Sequence, residues 1–284
     1  MCRLPETMAE PAELSFPGLP SGAPIRADWV TLAPERAGEV PLRAWWSQPR
    51  DGAPRAGVLV LPEIFGLNPW VCGVANRLAG LGYGALAVPL FARTAPELCL
   101  GYGPREFQEG RSHKDRTTTP TLLVDVARAQ RWLRARLPDG GSGAIGCLGF
   151  CFGGHVALLA SGLDGMAASC VCYGAGVAQG RPGGGPPSLE VLGEAEGRLL
   201  LIYGLQDPLV PPDHLEAITA AVERARATRG EDRFALRTYG AGHGFLCQAR
   251  ADFQPEEAKE AWAAILHFFA TSLKAPGIPA PGVR

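Results

Sequence analysis

Gly149-Phe150-Cys151-Phe152-Gly153 has the spacing of a G-x-S-x-G nucleophile elbow, with cysteine in place of serine. The apolar run Ala144-Ile145-Gly146-Cys147-Leu148 precedes it and predicts a buried strand, and Gly154 to Ala160 predicts a helix after it. A thiol on such a strand-to-helix turn is exposed to a carbonyl substrate. It also sits at a helix N-terminus, where the dipole favours thiolate over thiol. The partners such a nucleophile needs are an orienting acid and a histidine. Asp207 follows the apolar run Leu199 to Gly204, and His243 lies on the glycine-rich stretch after the alternating run Phe234 to Tyr239. Nucleophile, acid and histidine thus come in one of the chain orders in which triads are built, each after the end of an expected strand.

The elements that must carry these residues read as follows. Asp28–Leu32 and Leu42–Ser47 predict opening antiparallel strands. Gly57–Leu61 predicts a buried strand, residues 69–81 a helix, and Ala85–Val88 a further strand. Residues 94–119 lack periodicity and are expected to form a polar insertion near the strand ends. Residues 120–136 place Leu122, Leu123, Val126, Ala129 and Leu133 near one helical face. Strands then alternate with helices, Gly176–Gly197 reading as a loop, to a final helix over residues 255–273. The expected fold is α/β, with a mostly parallel central sheet of about eight strands and helices on both faces. Residues 1–27 are expected to be an irregular extension, 28–273 one domain, and 274–284 a flexible tail.

Composition narrows the function. With 284 residues and a formal net charge of −1, the chain offers no basic surface for nucleic acid. No run of about 18 apolar residues suggests a membrane span. The N-terminus lacks the pattern of a secretory signal, so a cytoplasmic location is expected and the eight cysteines read as reduced thiols. Cys147, Cys170 and Cys172 read as small core residues. His155, one turn beyond Cys151, is expected to pack or cap. Cys147, Cys151 and His155 straddle a turn, which argues against a zinc site. The glycines around the elbow do not have G-x-G-x-x-G spacing, and the next strand carries no acid for a ribose, which argues against a dinucleotide.

Four segments resemble the dienelactone hydrolase family of α/β-hydrolases: Leu61-Pro62-Glu63-Ile64-Phe65-Gly66-Leu67, Leu78 to Tyr83, Pro89-Leu90-Phe91-Ala92-Arg93, and Gly149 to Gly154. Asp207 and His243 stand at the family's acid and base positions. The resemblance spans residues 28–273 and implies a carboxymethylenebutenolidase-like hydrolase of small lactones or esters. It implies no metal and no cofactor. It further implies that Glu63 governs activation of the Cys151 thiol, that the backbone N–H groups of Ile64 and Phe152 form the oxyanion hole, and that Arg93 binds substrate. One departure stands out. The family's substrate-binding arginine four residues after the histidine is Cys247 here; Arg250, three residues further along, substitutes only if a turn brings it round. Alternatives are a general esterase or thioesterase, and a non-catalytic scaffold of hydrolase fold; the latter predicts loss of Cys151, Asp207 or His243, all of which are present.

Overall fold

The computed structural model describes residues 22–138 and 144–273. Eight strands form one sheet in the order β1-β2-β4-β3-β5-β6-β7-β8. They are β1 (Ile25–Leu32), β2 (Leu42–Pro49), β3 (Gly57–Leu61), β4 (Gly84–Ala87), β5 (Ile145–Phe150), β6 (Met166–Cys172), β7 (Arg198–Gly204) and β8 (Phe234–Tyr239). β1 pairs antiparallel with β2 and β2 antiparallel with β4; every other pairing is parallel. β3 and β5 are buried along their whole length, as parallel strands covered on both faces must be.

The helices are α1 (Pro69–Gly80), α2 (Pro104–Lys114), α3 (Thr119–Arg134), α4 (Phe152–Ala160), α5 (Pro212–Arg229) and α6 (Pro255–Ser272). Successive side chains of β5 divide them between the faces. The Phe150 ring meets Trp70 of α1 at 4.8 Å and Trp262 of α6 at 5.9 Å between centroids. Cys147 points the other way, its sulfur 3.8 Å from the Ala157 carbonyl of α4. α3 and α5 lie on that second side, α3 packing on α4, and α5 joined to it through a 3-10 turn at Ser188–Gly193. No helix among the described residues is long and apolar enough to cross a membrane.

Three expectations are corrected. β1 begins at Ile25, inside the stretch expected to be irregular, because Ile25↔Pro49 already pairs with β2. The 94–119 segment is not irregular throughout but holds α2. Only Gly110 and His113 of that helix are buried, so it has no apolar stripe to betray it. The 176–197 loop contains the 3-10 turn, which buries Leu189, Val191 and Leu192. The expected extension before residue 22 and the tail after residue 273 lie outside the described residues.

Candidate active site

All the sequence-derived acid, base and nucleophile positions fall at the carboxyl end of the parallel strands. Cys151 follows β5 directly, with φ 53° and ψ −117°. A non-glycine residue in this region is strained, and strain of this kind is typical of a nucleophile elbow. Close packing explains the elbow's glycines. A Cβ on Gly149 would lie 1.9 Å from the Gly153 carbonyl oxygen, and one on Gly153 would lie 2.1 Å from that of Leu61. The turn is fixed on both sides: Cys151 N–H donates to the Cys172 carbonyl at 3.0 Å, and its own carbonyl accepts from His155 N–H at 3.1 Å. Phe152 opens α4, so its N–H has no partner within the helix.

Asp207 and His243 come together from adjacent strands. The Leu205 N–H donates to the Tyr239 carbonyl at 2.8 Å and Gln206 N–H to the Ala241 carbonyl at 2.9 Å, which binds the turn after β7 to the loop after β8. His243 Nδ1 then lies 2.7 Å from Asp207 Oδ2, while Asp207 Oδ1 accepts the Leu209 N–H at 2.8 Å. Both side chains are buried. An edge of the Tyr173 ring packs on the imidazole, with centroids 5.1 Å apart. Burial works against a charge on His243. The Cys151 sulfur beside it and the hydrogen bond to Asp207 outweigh burial, and its pKa is pushed up to about 10.

Glu63 lies just past β3 and is fully buried. Burial raises its pKa, and Arg250 and His243 act against the rise. Its Oε1 accepts from Arg250 Nη1 at 2.9 Å; Oε2 has no hydrogen-bond partner among the described residues. The Arg250 guanidinium also reaches Asp252 at 3.2 Å and lies 5.8 Å from the ring centroids of both Phe65 and Tyr102. Burial opposes its charge, but Glu63, Tyr173 and the Cys151 sulfur more than compensate, in that order. Gly244 makes room for it: φ is +78°, and a Cβ there would approach Arg250 Nε to 2.5 Å. Cys247 is buried instead, its thiol donating to the Tyr102 hydroxyl at 3.3 Å. The Tyr102 hydroxyl in turn accepts from Asn68 Nδ2 at 3.0 Å.

Ile64 is held from above by α2. A Cβ on Gly110 would fall 2.4 Å from the Ile64 carbonyl oxygen, so the helix rests directly on this backbone. Arg93 is placed differently. It follows Phe91, whose ring stacks on Phe152 at 5.8 Å, but its guanidinium is ion-paired with Asp125 of α3. Sequence reasoning gave Asp125 no role; an acid on the buried face of an otherwise apolar helix stripe was the available signal. His155 is a packing residue. Its Nδ1 lies 2.9 Å from the Ala175 carbonyl and its Nε2 2.7 Å from Ser188 Oγ, and burial lowers its pKa to about 4.

A mostly parallel eight-stranded sheet with a strained residue at a strand-to-helix elbow defines an α/β-hydrolase. A sequence profile described as "Dienelactone hydrolase family" matches residues 42–273, and the chain belongs to that family. A Synechocystis protein provisionally named a carboxymethylenebutenolidase is 33% identical over 217 residues, covering 76% of this chain and 86% of the relative. A Bradyrhizobium protein provisionally named a 2-oxo-3-(5-oxofuran-2-ylidene)propanoate lactonase is 29% identical over 245 residues, covering 84% and 91%. A Klebsiella pneumoniae crystal structure, provisionally titled a dienelactone hydrolase, superposes with a TM-score of 0.74 at 26% identity, over 87% of this chain and 99% of that one. The chain is therefore a hydrolase of the dienelactone hydrolase type.

Proposed function

We propose that the protein hydrolyses small lactones or carboxylic esters through Cys151, with His243 as base and Asp207 orienting it. The single observation that carries this reading is the imidazole of His243: its Nδ1 lies 2.7 Å from Asp207 Oδ2, and its buried Nε2 has no hydrogen-bond partner among the described residues, with the Cys151 sulfur near enough to raise its pKa. The thiol proton passes to His243 Nε2. The sulfur attacks the substrate carbonyl, and the new oxyanion accepts hydrogen bonds from the N–H groups of Phe152 and Ile64. The carbon–oxygen bond of the ester breaks, and His243 returns its proton to the leaving oxygen; in a lactone that oxygen stays attached to the acyl chain. Water then gives a proton to His243 as it attacks the thioester, and the acid is released with the thiol restored.

Glu63 fits a proton-controlling role because it is buried, only half satisfied by hydrogen bonds, and near His243. Arg250 is its partner in this reading, taking the place that the resemblance gives to position 247. The test is hydrolysis of p-nitrophenyl acetate by the wild type, Cys151→Ala and Cys151→Ser. Loss of turnover in a folded Cys151→Ala supports the reading. Wild-type turnover in that variant removes Cys151 from the chemistry.

A further inference from the structure

We propose that the site takes uncharged lactones and esters, and that Asp125 sets this preference as a positioning residue by holding Arg93 away from substrate. This rests on the ester-hydrolase reading above and narrows its substrate class.

Two observations carry it. The first is the balance of charge around the nucleophile. Cys151, Asp207 and Glu63 can carry negative charge there, against His243 and Arg250 as cations. Arg250 is already engaged by Glu63 and Asp252. These five groups leave no surplus positive charge to hold a substrate carboxylate.

The second is the anchoring of Arg93. Its partner Asp125 is 3% exposed and lies 3.5 Å from Arg128 Nη2. Arg128 is 1% exposed, pairs with Glu39 at 3.0 Å, and donates to the Val40 carbonyl at 2.6 Å. Asp125 is thus a fixed carboxylate in a packed network, not a surface acid that can follow Arg93 outward. A substrate carboxylate that recruited Arg93 would leave Asp125 buried with its nearest cation gone, a costly exchange. An uncharged ring avoids that exchange.

The experiment measures kcat/KM for a γ-lactone bearing a carboxylate and for its methyl ester. The proteins are the wild type, Asp125→Asn and the double variant Asp125→Asn/Arg93→Ala. The wild type should favour the methyl ester by about tenfold or more, the worth of one missing charged hydrogen bond. Asp125→Asn keeps the side chain's size and leaves Arg128–Glu39 in place. It should improve the carboxylate substrate about tenfold relative to the ester, mainly through a lower KM. Adding Arg93→Ala should cancel that gain, which a merely structural role for Asp125 would not do. A wild type that prefers the carboxylate overturns the inference, as does an Asp125→Asn ratio equal to that of the wild type. Failure of the underlying reading looks different: the wild type would then hydrolyse neither lactone nor p-nitrophenyl acetate.

Discussion

Removal of the Arg250 side chain should be the most costly single change at the site, and its cost should depend on pH. Arg250→Ala strips the donor from Glu63 Oε1, 2.9 Å away, and leaves a fully buried carboxylate whose Oε2 already has no hydrogen-bond partner among the described residues. Breaking a buried ion pair on one side costs about 3–5 kcal/mol. The Arg250 side chain is 15% exposed, so water can replace part of its contribution, and the lower figure applies. At about 2–4 °C per kcal/mol for domains of similar size, the melting temperature should fall by roughly 6–12 °C. The pH dependence has a defined sign. Glu63 has a folded pKa raised above its ordinary 4.5, so the folded state binds the proton more tightly than the unfolded chain. Its contribution to stability is largest at acid pH and declines as pH rises from 4.5 through the raised value. Arg250 counteracts that rise, so its loss pushes the folded pKa higher still and deepens the decline. Differential scanning calorimetry of wild type and variant at pH 5 and pH 8 should therefore show the larger difference at pH 8. Glu63→Gln/Arg250→Ala should recover most of the loss, because the amide carries no charge. A melting temperature within about 2 °C of wild type at pH 8, or the same difference at both pH values, would refute the reasoning.

Other outcomes follow from the same geometry. Asp207→Asn should keep the fold and lower kcat by about 10³–10⁴, because the amide favours the wrong imidazole tautomer; steady-state kinetics on an aryl ester would check it. His243, raised from 6.5 to about 10, contributes stability that is complete below pH 6.5 and lost as pH climbs through about 10. Chemical denaturation between pH 7 and 10 should show this slope in wild type, and Cys151→Ala, which removes the group raising it most, should flatten it. Gly110→Ala should push α2 off the Ile64 carbonyl and lower kcat more than it changes KM, since the Ile64 N–H is proposed to bind the oxyanion that forms only in the transition state. Glu63→Gln should change the pH dependence of both turnover and Cys151 alkylation by iodoacetamide; unchanged profiles would leave Glu63 a structural residue.

The parts of this molecule that were legible in its sequence are those whose signal is local. β3 and β5 are short apolar runs bounded by glycine, and the elbow announces itself within five residues. Asp207 and His243 could be located because each follows a strand that is itself visible. α2 could not, since only two of its eleven residues are buried, and the one that packs on the Ile64 backbone is a glycine, which carries no hydropathy signal. The two arginines were obscure for a different reason. Whether Arg250 meets Glu63 depends on how the turns after β8 bring residue 250 back across the sheet to a partner 187 positions earlier. Whether Arg93 faces the substrate or Asp125 depends on how α3 packs under the β4 loop. Residue type and spacing are silent on both.

The Arg250–Glu63 contact bears on how such sites drift over time. A long side chain can deliver its charge to one point from several roots on the backbone, so the point outlasts the root. Position 247, where the resemblance implies an arginine, holds a small thiol packed against Tyr102, and Gly244 leaves room for the Arg250 guanidinium. A comparison by position alone finds a cysteine at 247 and no arginine there. Measured in space, the charge still stands against Glu63, rooted three residues further along the chain.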